Sequence, residues 1–248
     1  MSFIWVFAAT AGEGKALGRR ITPGCSGAGV VQKGQVNALT HMLELFITGI
    51  GPRAARSSSM SAREALQQGR RPDAVLVIGT CGSLSAKLWE GQIVLYTDCI
   101  STFMQNMKPL GCAGALVERL SKRLVACGLP HARVRAITAE RMAASRAEKL
   151  RWAETGAEVI DMESYEIIEA MAGTGVPVVV IRAVSDSLDR DLPDFNPSLK
   201  ADGEINRLAA VRIAAQSPLR TLRFMALQRK ALRRLRTALE CLLSADSV

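Results

Sequence analysis

Apolar positions along this chain fall into short blocks, and the blocks alternate between two spacings. Residues 3–9, 43–48, 73–78, 91–96, 134–138 and 176–181 are strand-length runs rich in branched and aromatic side chains. Between them the apolar residues recur at helical spacing. A helix is predicted from near Arg53, where Pro52 supplies a fixed φ and lacks a donor the first turn would waste. Others are predicted over 114–127, closed by Gly128, and over 163–172, where Ile167, Ile168 and Met171 share a side and Gly173 and Gly175 stop the pattern. A helix near 204–215 is followed by a long one from Ser217-Pro218, with Met225, Leu232, Leu235, Leu239 and Leu242 on one stripe. Residues 18–37 hold Pro23 and several glycines and read as loops around a short hairpin. Apolar strands alternating with helices predict one α/β domain with a mixed twisted sheet flanked by helices, in which the run over 176–181 is a buried parallel strand.

Length and composition narrow the classes. At 248 residues and 48% hydrophobic, the chain can bury a sizeable core as one domain. No run of 18 or more apolar residues suggests a membrane span. Residues 3–9 follow no basic segment, so a first strand is preferred to a signal peptide. Six scattered cysteines, Cys25, Cys81, Cys99, Cys112, Cys127 and Cys241, show no CxxC pair and no zinc spacing. They read as buried, reduced thiols of a cytoplasmic protein. His41 and His131, the two histidines, neighbour no plausible nucleophile, so neither a histidine triad nor a metal centre is expected. The formal charge of +9 would suit nucleic acid or an anionic membrane. Residues 218–248 carry seven of the cations, including Arg220, Arg223 and Arg229, against Glu240 and Asp246. That stretch is either a surface helix covering the sheet or a basic amphipathic helix lying on a membrane.

The candidate chemistry is acidic. Asp161-Met162-Glu163-Ser164 opens a predicted helix, and Ser185-Asp186 follows the strand over 176–181, where they are expected in a loop. In open α/β sheets ligands bind at the carboxyl ends of strands. Asp161 could equally cap the helix, Glu163 could favour its dipole, and Asp186 could be a turn residue. Gly79-Thr80-Cys81-Gly82-Ser83-Leu84 reads as a turn of small residues that would let backbone approach a ligand. Glu13 follows the first strand and has the same bland alternative, a first-turn helix residue.

Taken together, Asp161-Met-Glu-Ser, the strand after it and Arg182-Ala-Val-Ser-Asp186 resemble the signature of the nucleoside phosphorylase and nucleosidase superfamily. The likeness covers about the first 190 residues and is greatest to the nucleosidases of methylthioadenosine and S-adenosylhomocysteine. It implies a three-layer fold, a mixed twisted β-sheet flanked by helices, and carries roles residue by residue. Glu163 would hold the ribose hydroxyls, Met162 would pack on the sugar, and Asp186, oriented by Ser185, would protonate purine N7. Ala9 and Glu13 stand at the spacing of the glutamate that activates water. Ile50, in Gly49-Ile50-Gly51, would lie near the 5′ substituent, and Thr80 and Gly82 would line the pocket. Related phosphorylases carry a phosphate-binding Arg two residues before the glycine turn; here that position is Val77, which shifts the expectation towards hydrolysis. Relatives stack a Phe on the purine where this chain offers only Met142. Hopanoid-associated nucleosidases, acting on a lipid-linked adenosyl intermediate, are similar in Arg-Ala-Val-Ser-Asp and in an arginine- and leucine-rich end.

The expectation is therefore an N-ribosyl hydrolase over residues 1–217 with a basic amphipathic helix over 218–248. It needs no cofactor, takes a small purine nucleoside, forms a homodimer and binds no nucleic acid, with peripheral membrane contact through the last helix. A phosphorylase and a non-catalytic basic binding protein remain the alternatives.

Overall fold

The structure is a computed structural model that describes residues 2–18, 31–35, 41–102, 108–200 and 202–244. The expected loops over 18–37 and Cys25 therefore lie largely outside the described residues. Nine strands are described: β1 Ser2–Ala8, β2 Val31–Gln35, β3 His41–Ile47, β4 Ala74–Ser83, β5 Ile93–Ser101, β6 Leu110–Gly111, β7 His131–Thr138, β8 Val159–Asp161 and β9 Val178–Asp186. The helices are α1 Ala11–Gly14, α2 Pro52–Gln67, α3 Gly114–Ala126, α4 Arg146–Ala153, α5 Ser164–Met171, α6 Arg207–Gln216 and α7 Pro218–Leu242.

All nine strands belong to one mixed sheet. β1 lies parallel between β3 and β4, with β2 antiparallel at the β3 edge. β4 then pairs in parallel with β9, β9 antiparallel with β5, β5 in parallel with β7, β7 in parallel with β8, and β8 antiparallel with β4. Those five strands close a ring, so the sheet is half open wing and half barrel.

Alternation along the strands explains why both faces are covered. Trp5, Phe7, Val75, Val77, Val178 and Val180 enter one apolar cluster with side chains of α2 and α5. Their neighbours Val6, Ala8, Leu76, Ile78, Val179 and Ile181 enter another, closed by Val117 and Leu124 of α3 and by Leu235, Leu239 and Leu242 of α7. The result is the expected helix–sheet–helix sandwich.

Four expectations need correction. The small-residue stretch after Ile78 is strand, not turn: β4 continues to Ser83 past a register shift between Cys81 and Gly82. Ser185 and Asp186 are also strand rather than loop; β9 keeps its ladder to Asp186, opposite Gly82, because its buried polar groups find internal partners. The leucine stripe of α7 splits, with Leu235, Leu239 and Leu242 buried in the core and Met225 exposed. Finally, Cys127 and Cys241 form a disulfide joining the ends of α3 and α7, their Cα atoms 6.5 Å apart. A pairing across 114 residues leaves no spacing signal, and a cytoplasmic placement inferred from uniformly reduced thiols loses that support. Cys81, Cys99 and Cys112 are free, and the first two are buried.

Candidate active site

A cavity of about 420 Å³ opens where β1, β4 and β9 end, within the size range of small-molecule sites. Glu13, Ile50, Thr80, Gly82, Met142, Met162, Glu163, Ser185 and Asp186 all line it. Residues spread over more than 170 positions of sequence are thus gathered into one chamber.

Glu13 is set by the first strand-to-helix turn. Thr10 caps α1, taking the Glu13 N–H at 3.2 Å, while the Thr10 N–H donates to Glu13 Oε2 at 3.1 Å. That capping box is the bland role foreseen for Glu13. The other oxygen does something further: Oε1 accepts the Thr80 N–H at 2.9 Å from the middle of β4. Glycine at position 79 leaves room for this contact, because a Cβ there would lie 2.7 Å from Glu13 Oε1 and 2.8 Å from Arg182 Nη1 and would force one of them to move.

At the floor a buried cation holds two carboxylates. Arg182 is 2% exposed, an extreme that a guanidinium tolerates only when paired. Its Nε lies 3.1 Å from Asp161 Oδ2, its Nη2 donates to Glu163 Oε2 at 3.1 Å, and its Nη1 donates to the Thr80 carbonyl at 2.8 Å. Asp161 also receives the hydroxyls of Thr138 and Tyr96 at 2.6 and 2.9 Å, and the N–H groups of Glu163 and Ser164 at 3.1 and 3.2 Å. Burial works against its ionised form, but Arg182 and these donors carry its carboxyl below the usual range. Asp161 therefore accepts the N–H groups that open α5 and anchors Arg182, a structural role close to the one considered for it, although the N-cap position falls to Glu163. Glu163 precedes α5 as its N-cap residue, and Oε1 accepts the N–H of Gly51 at 3.0 Å. Gly51 has φ +94°, a conformation suited to glycine that aims the donor. Burial pushes the Glu163 carboxyl up to about 7; Arg182 opposes the rise, and the negative charges of Asp161 and Glu13 add to it.

Asp186 has a partner that sequence reading missed. The ammonium of Lys149, wholly buried, donates to Asp186 Oδ2 at 2.5 Å and to the carbonyls of Ser187 and Arg190 at 2.8 and 2.9 Å. Every ammonium proton is thereby used. The Ser185 hydroxyl lies 2.5 Å from Asp186 Oδ1 and 3.1 Å from the Cys81 carbonyl. Asp186 thus belongs to a buried ion pair that the sequence reading did not foresee. Lys149 projects from α4, a helix the apolar pattern did not reveal. Its start was legible as Ser145-x-x-Glu148, which forms a capping box. Nothing in the sequence marks Lys149 itself as buried.

Met142 lines the cavity, and Asn196 pins it with two backbone bonds of 2.8 and 2.9 Å. Aromatic surface comes instead from Phe195 and Phe224, 5.9 Å apart between ring centres and drawn from distant segments. With Leu192, Leu199, Ile205, Ala210 and Leu232 they extend the chamber as an apolar wall built from α6, α7 and the segment before them.

Val77 does not face the cavity; it is buried in the cluster with Trp5 and Phe7. Among the described residues the cations lining the chamber are Arg141, exposed at the rim, and Arg182, already committed to Asp161 and Glu163.

The chain belongs to the phosphorylase superfamily, whose family model matches residues 5–217. It is similar to the 5′-methylthioadenosine/S-adenosylhomocysteine nucleosidase of Actinobacillus succinogenes, at 26% identity over 183 residues, 66% of this chain and 75% of the relative. In fold it is similar to futalosine hydrolase of Helicobacter pylori, with a TM-score of 0.74 at 16% identity over 98% of this chain and 97% of that one. It is likewise similar to an S-adenosylhomocysteine nucleosidase of Streptococcus pyogenes solved with 5-methylthiotubericidin, with a TM-score of 0.72 at 17% identity over 100% and 98% of the two chains.

Proposed function

We propose that this protein hydrolyses the N-glycosidic bond of an adenosine-type nucleoside carrying a bulky apolar 5′ substituent. The observation that carries the reading is the meeting of Glu13, Glu163 and Asp186 around one chamber with an apolar extension. In the proposed reaction Glu163 accepts the ribose hydroxyls and Met162 packs on the sugar. Ile50 and the wall of Phe195, Phe224 and Leu232 take the 5′ group. Met142 lies beside the base. As the bond between ribose C1′ and the base nitrogen breaks, its electron pair leaves with the purine, and Asp186 delivers a proton to N7. Ser185 and Lys149 orient Asp186, which takes its proton from solvent before each turnover, while Glu13 returns to solvent the proton it removes from water, so the net reaction consumes one water. Glu13, fixed by Thr80 and with Gly82 leaving room at Asp186, takes a proton from the water that attacks C1′. The oxocarbenium-like sugar this creates is the species that glycoside cleavage generally passes through.

The activities of the relatives, nucleosidases and a hydrolase, support water as the acceptor. So does the engagement of Arg182, which leaves no uncommitted buried cation among the described residues for a phosphate. Within this proposal the substrate is a lipid-linked adenosyl intermediate of the hopanoid type, whose apolar 5′ group would meet the wall of Phe195, Leu199, Phe224 and Leu232 at the chamber's open side. Residues 1–217 would form the family's common body, yet α7 beyond them supplies Phe224, Gln228 and Leu232 to the chamber, so both segments act as one catalytic unit. A homodimer is part of the proposal and is checked by light scattering.

The test is a panel of adenosine derivatives with graded 5′ groups, assayed for free base with and without phosphate. Phosphate-independent release of adenine, rising in kcat/KM with 5′ apolar length, is expected. Ribose 1-phosphate formed in proportion to phosphate would overturn the hydrolase reading.

A further inference from the structure

The outer side of the helices that wall the chamber is apolar and basic at once. Six of the eleven large apolar side chains exposed among the described residues fall between positions 205 and 225: Ile205, Leu208, Val211, Leu219, Leu222 and Met225. Leu208 and Val211 are 79% and 64% exposed, and Leu219 and Leu222 are 72% and 64% exposed. The i, i+3 spacing places each pair on one side of its helix. The chamber-lining residues Ala210, Phe224, Gln228 and Leu232 fall on the opposite sides. Each helix therefore has an inner apolar face with an occupant and an outer one without.

Charge decides what the outer face fits. From position 205 to 239 the sequence holds nine Lys and Arg residues and no Asp or Glu, as much positive charge as the formal total of the whole chain. Arg236 pairs with Glu240; the other eight take part in no ion pair among the described residues. Arg220 and Arg223 alternate with Leu219 and Leu222 on the first turns of α7, and Arg229, Lys230 and Arg233 continue the exposed side beyond them. No helix of the described residues is long and apolar enough to cross a membrane. Protruding leucines framed by unpaired cations are instead the composition of a helix that lies in a lipid interface.

We propose that the outer face of α6 and the first half of α7 docks onto an anionic lipid bilayer. The membrane-facing part is thus the beginning of α7 rather than its end, whose leucines are already in the core. A second copy of the chain fits the face less well, since two such surfaces would set nine cations against nine. Nucleic acid would leave the leucines without purpose, and the single aromatic of this stretch, Phe224, faces the chamber. Ile205 is both exposed and part of the chamber lining, so the chamber reaches the edge of the docking face. Docking stands apart from the proposed reaction; that a lipid-anchored nucleoside would enter from the bilayer at this edge rests on that reading.

Flotation of the full-length protein with two kinds of vesicle tests the proposal, phosphatidylcholine alone and phosphatidylcholine with phosphatidylglycerol. Binding to the anionic vesicles at low salt is expected, with release near 1 M salt, where the screening length falls to about 3 Å. Arg220→Gln/Arg223→Gln should weaken partitioning roughly tenfold or more, at about fivefold per cation. Leu219→Ser/Leu222→Ser should weaken it by a similar factor. Both variants should keep the wild-type circular dichroism and wild-type turnover of water-soluble nucleosides. The proposal falls if wild type ignores anionic vesicles, if it binds neutral ones as well, or if neither variant changes flotation. It also falls if wild type elutes as a dimer that the leucine variant dissociates, since the face is then a self-interface. A protein that floats but cleaves no nucleoside refutes the proposed reaction and leaves the docking intact.

Discussion

The buried pair of Lys149 and Asp186 offers the sharpest test, because it separates structure from chemistry at one contact. The ammonium is wholly buried and the carboxylate nearly so, 2.5 Å apart. Removing one member of such a pair leaves a buried charge without its counter-ion and costs about 3–5 kcal/mol. In Lys149→Met the carboxylate keeps the Ser185 hydroxyl, and in Asp186→Asn the ammonium keeps the carbonyls of Ser187 and Arg190. Both singles should therefore fall towards the lower end of that range. For a domain of this length each kcal/mol lowers Tm by roughly 2–4 °C, so a drop of about 6–12 °C is expected from each. In the double variant neither charge remains, and its loss should be well below the sum of the singles, with a coupling of at least about 1 kcal/mol. Activity should not follow stability. Asp186→Asn and the double variant should both lose about a hundredfold or more in kcat, the scale of a missing general acid. Urea unfolding of the three variants, with single-turnover rates on the same samples, supplies every quantity. Additive stability losses, within about 0.5 kcal/mol, would show that the contact is not an energetic unit. Recovery of kcat in the double variant would remove Asp186 from the chemistry.

Three more outcomes are expected. The Glu163 carboxyl is raised to about 7, so lowering pH through 7 should protonate it and raise KM for ribonucleosides. The same shift makes its contribution to stability largest below the ordinary carboxyl range and lost as pH rises through about 7. Glu163→Gln should abolish the KM step and the preference for ribo- over 2′-deoxynucleosides; a pH profile unchanged by the substitution would detach it from the ribose. Gly79→Ala should cost on the order of a hundredfold in kcat, because its methyl displaces Glu13 or Arg182 by about an ångström; normal turnover in a folded variant refutes the placement of Glu13. Cys127→Ser should lower unfolding free energy by about 2–4 kcal/mol while leaving kcat unchanged, and equal stability of oxidised and reduced wild type would show the bridge adds nothing.

What was legible in the sequence was whatever depends on local period and local chemistry. Runs such as Val-Val-Val-Ile ending at Ile181 have one stable use, a strand buried on both faces, so the α/β class follows before any coordinates. Asp161-Met-Glu-Ser and Ser-Asp186 could be placed at a strand's end and a helix's start for the same reason, and the structure gathers them in one chamber. What the tertiary structure decided concerns groups whose environment is made by distant segments. Arg182 sits in an apolar run and could have been flagged as a buried cation needing partners, but only the fold shows that they are Asp161 and Glu163. Lys149 lies on a short helix with no apolar stripe, and its burial exists only because Asp186 and the carbonyls of Ser187 and Arg190 converge on it. Phe195 and Phe224 meet from distant segments to form the chamber's aromatic wall, and Cys127 meets Cys241 across 114 residues. Helical spacing alone could not divide α7, because one stripe of leucines looks the same whether it meets a sheet or solvent. The sheet ends before the helix does, so its later leucines are core and its early ones are surface.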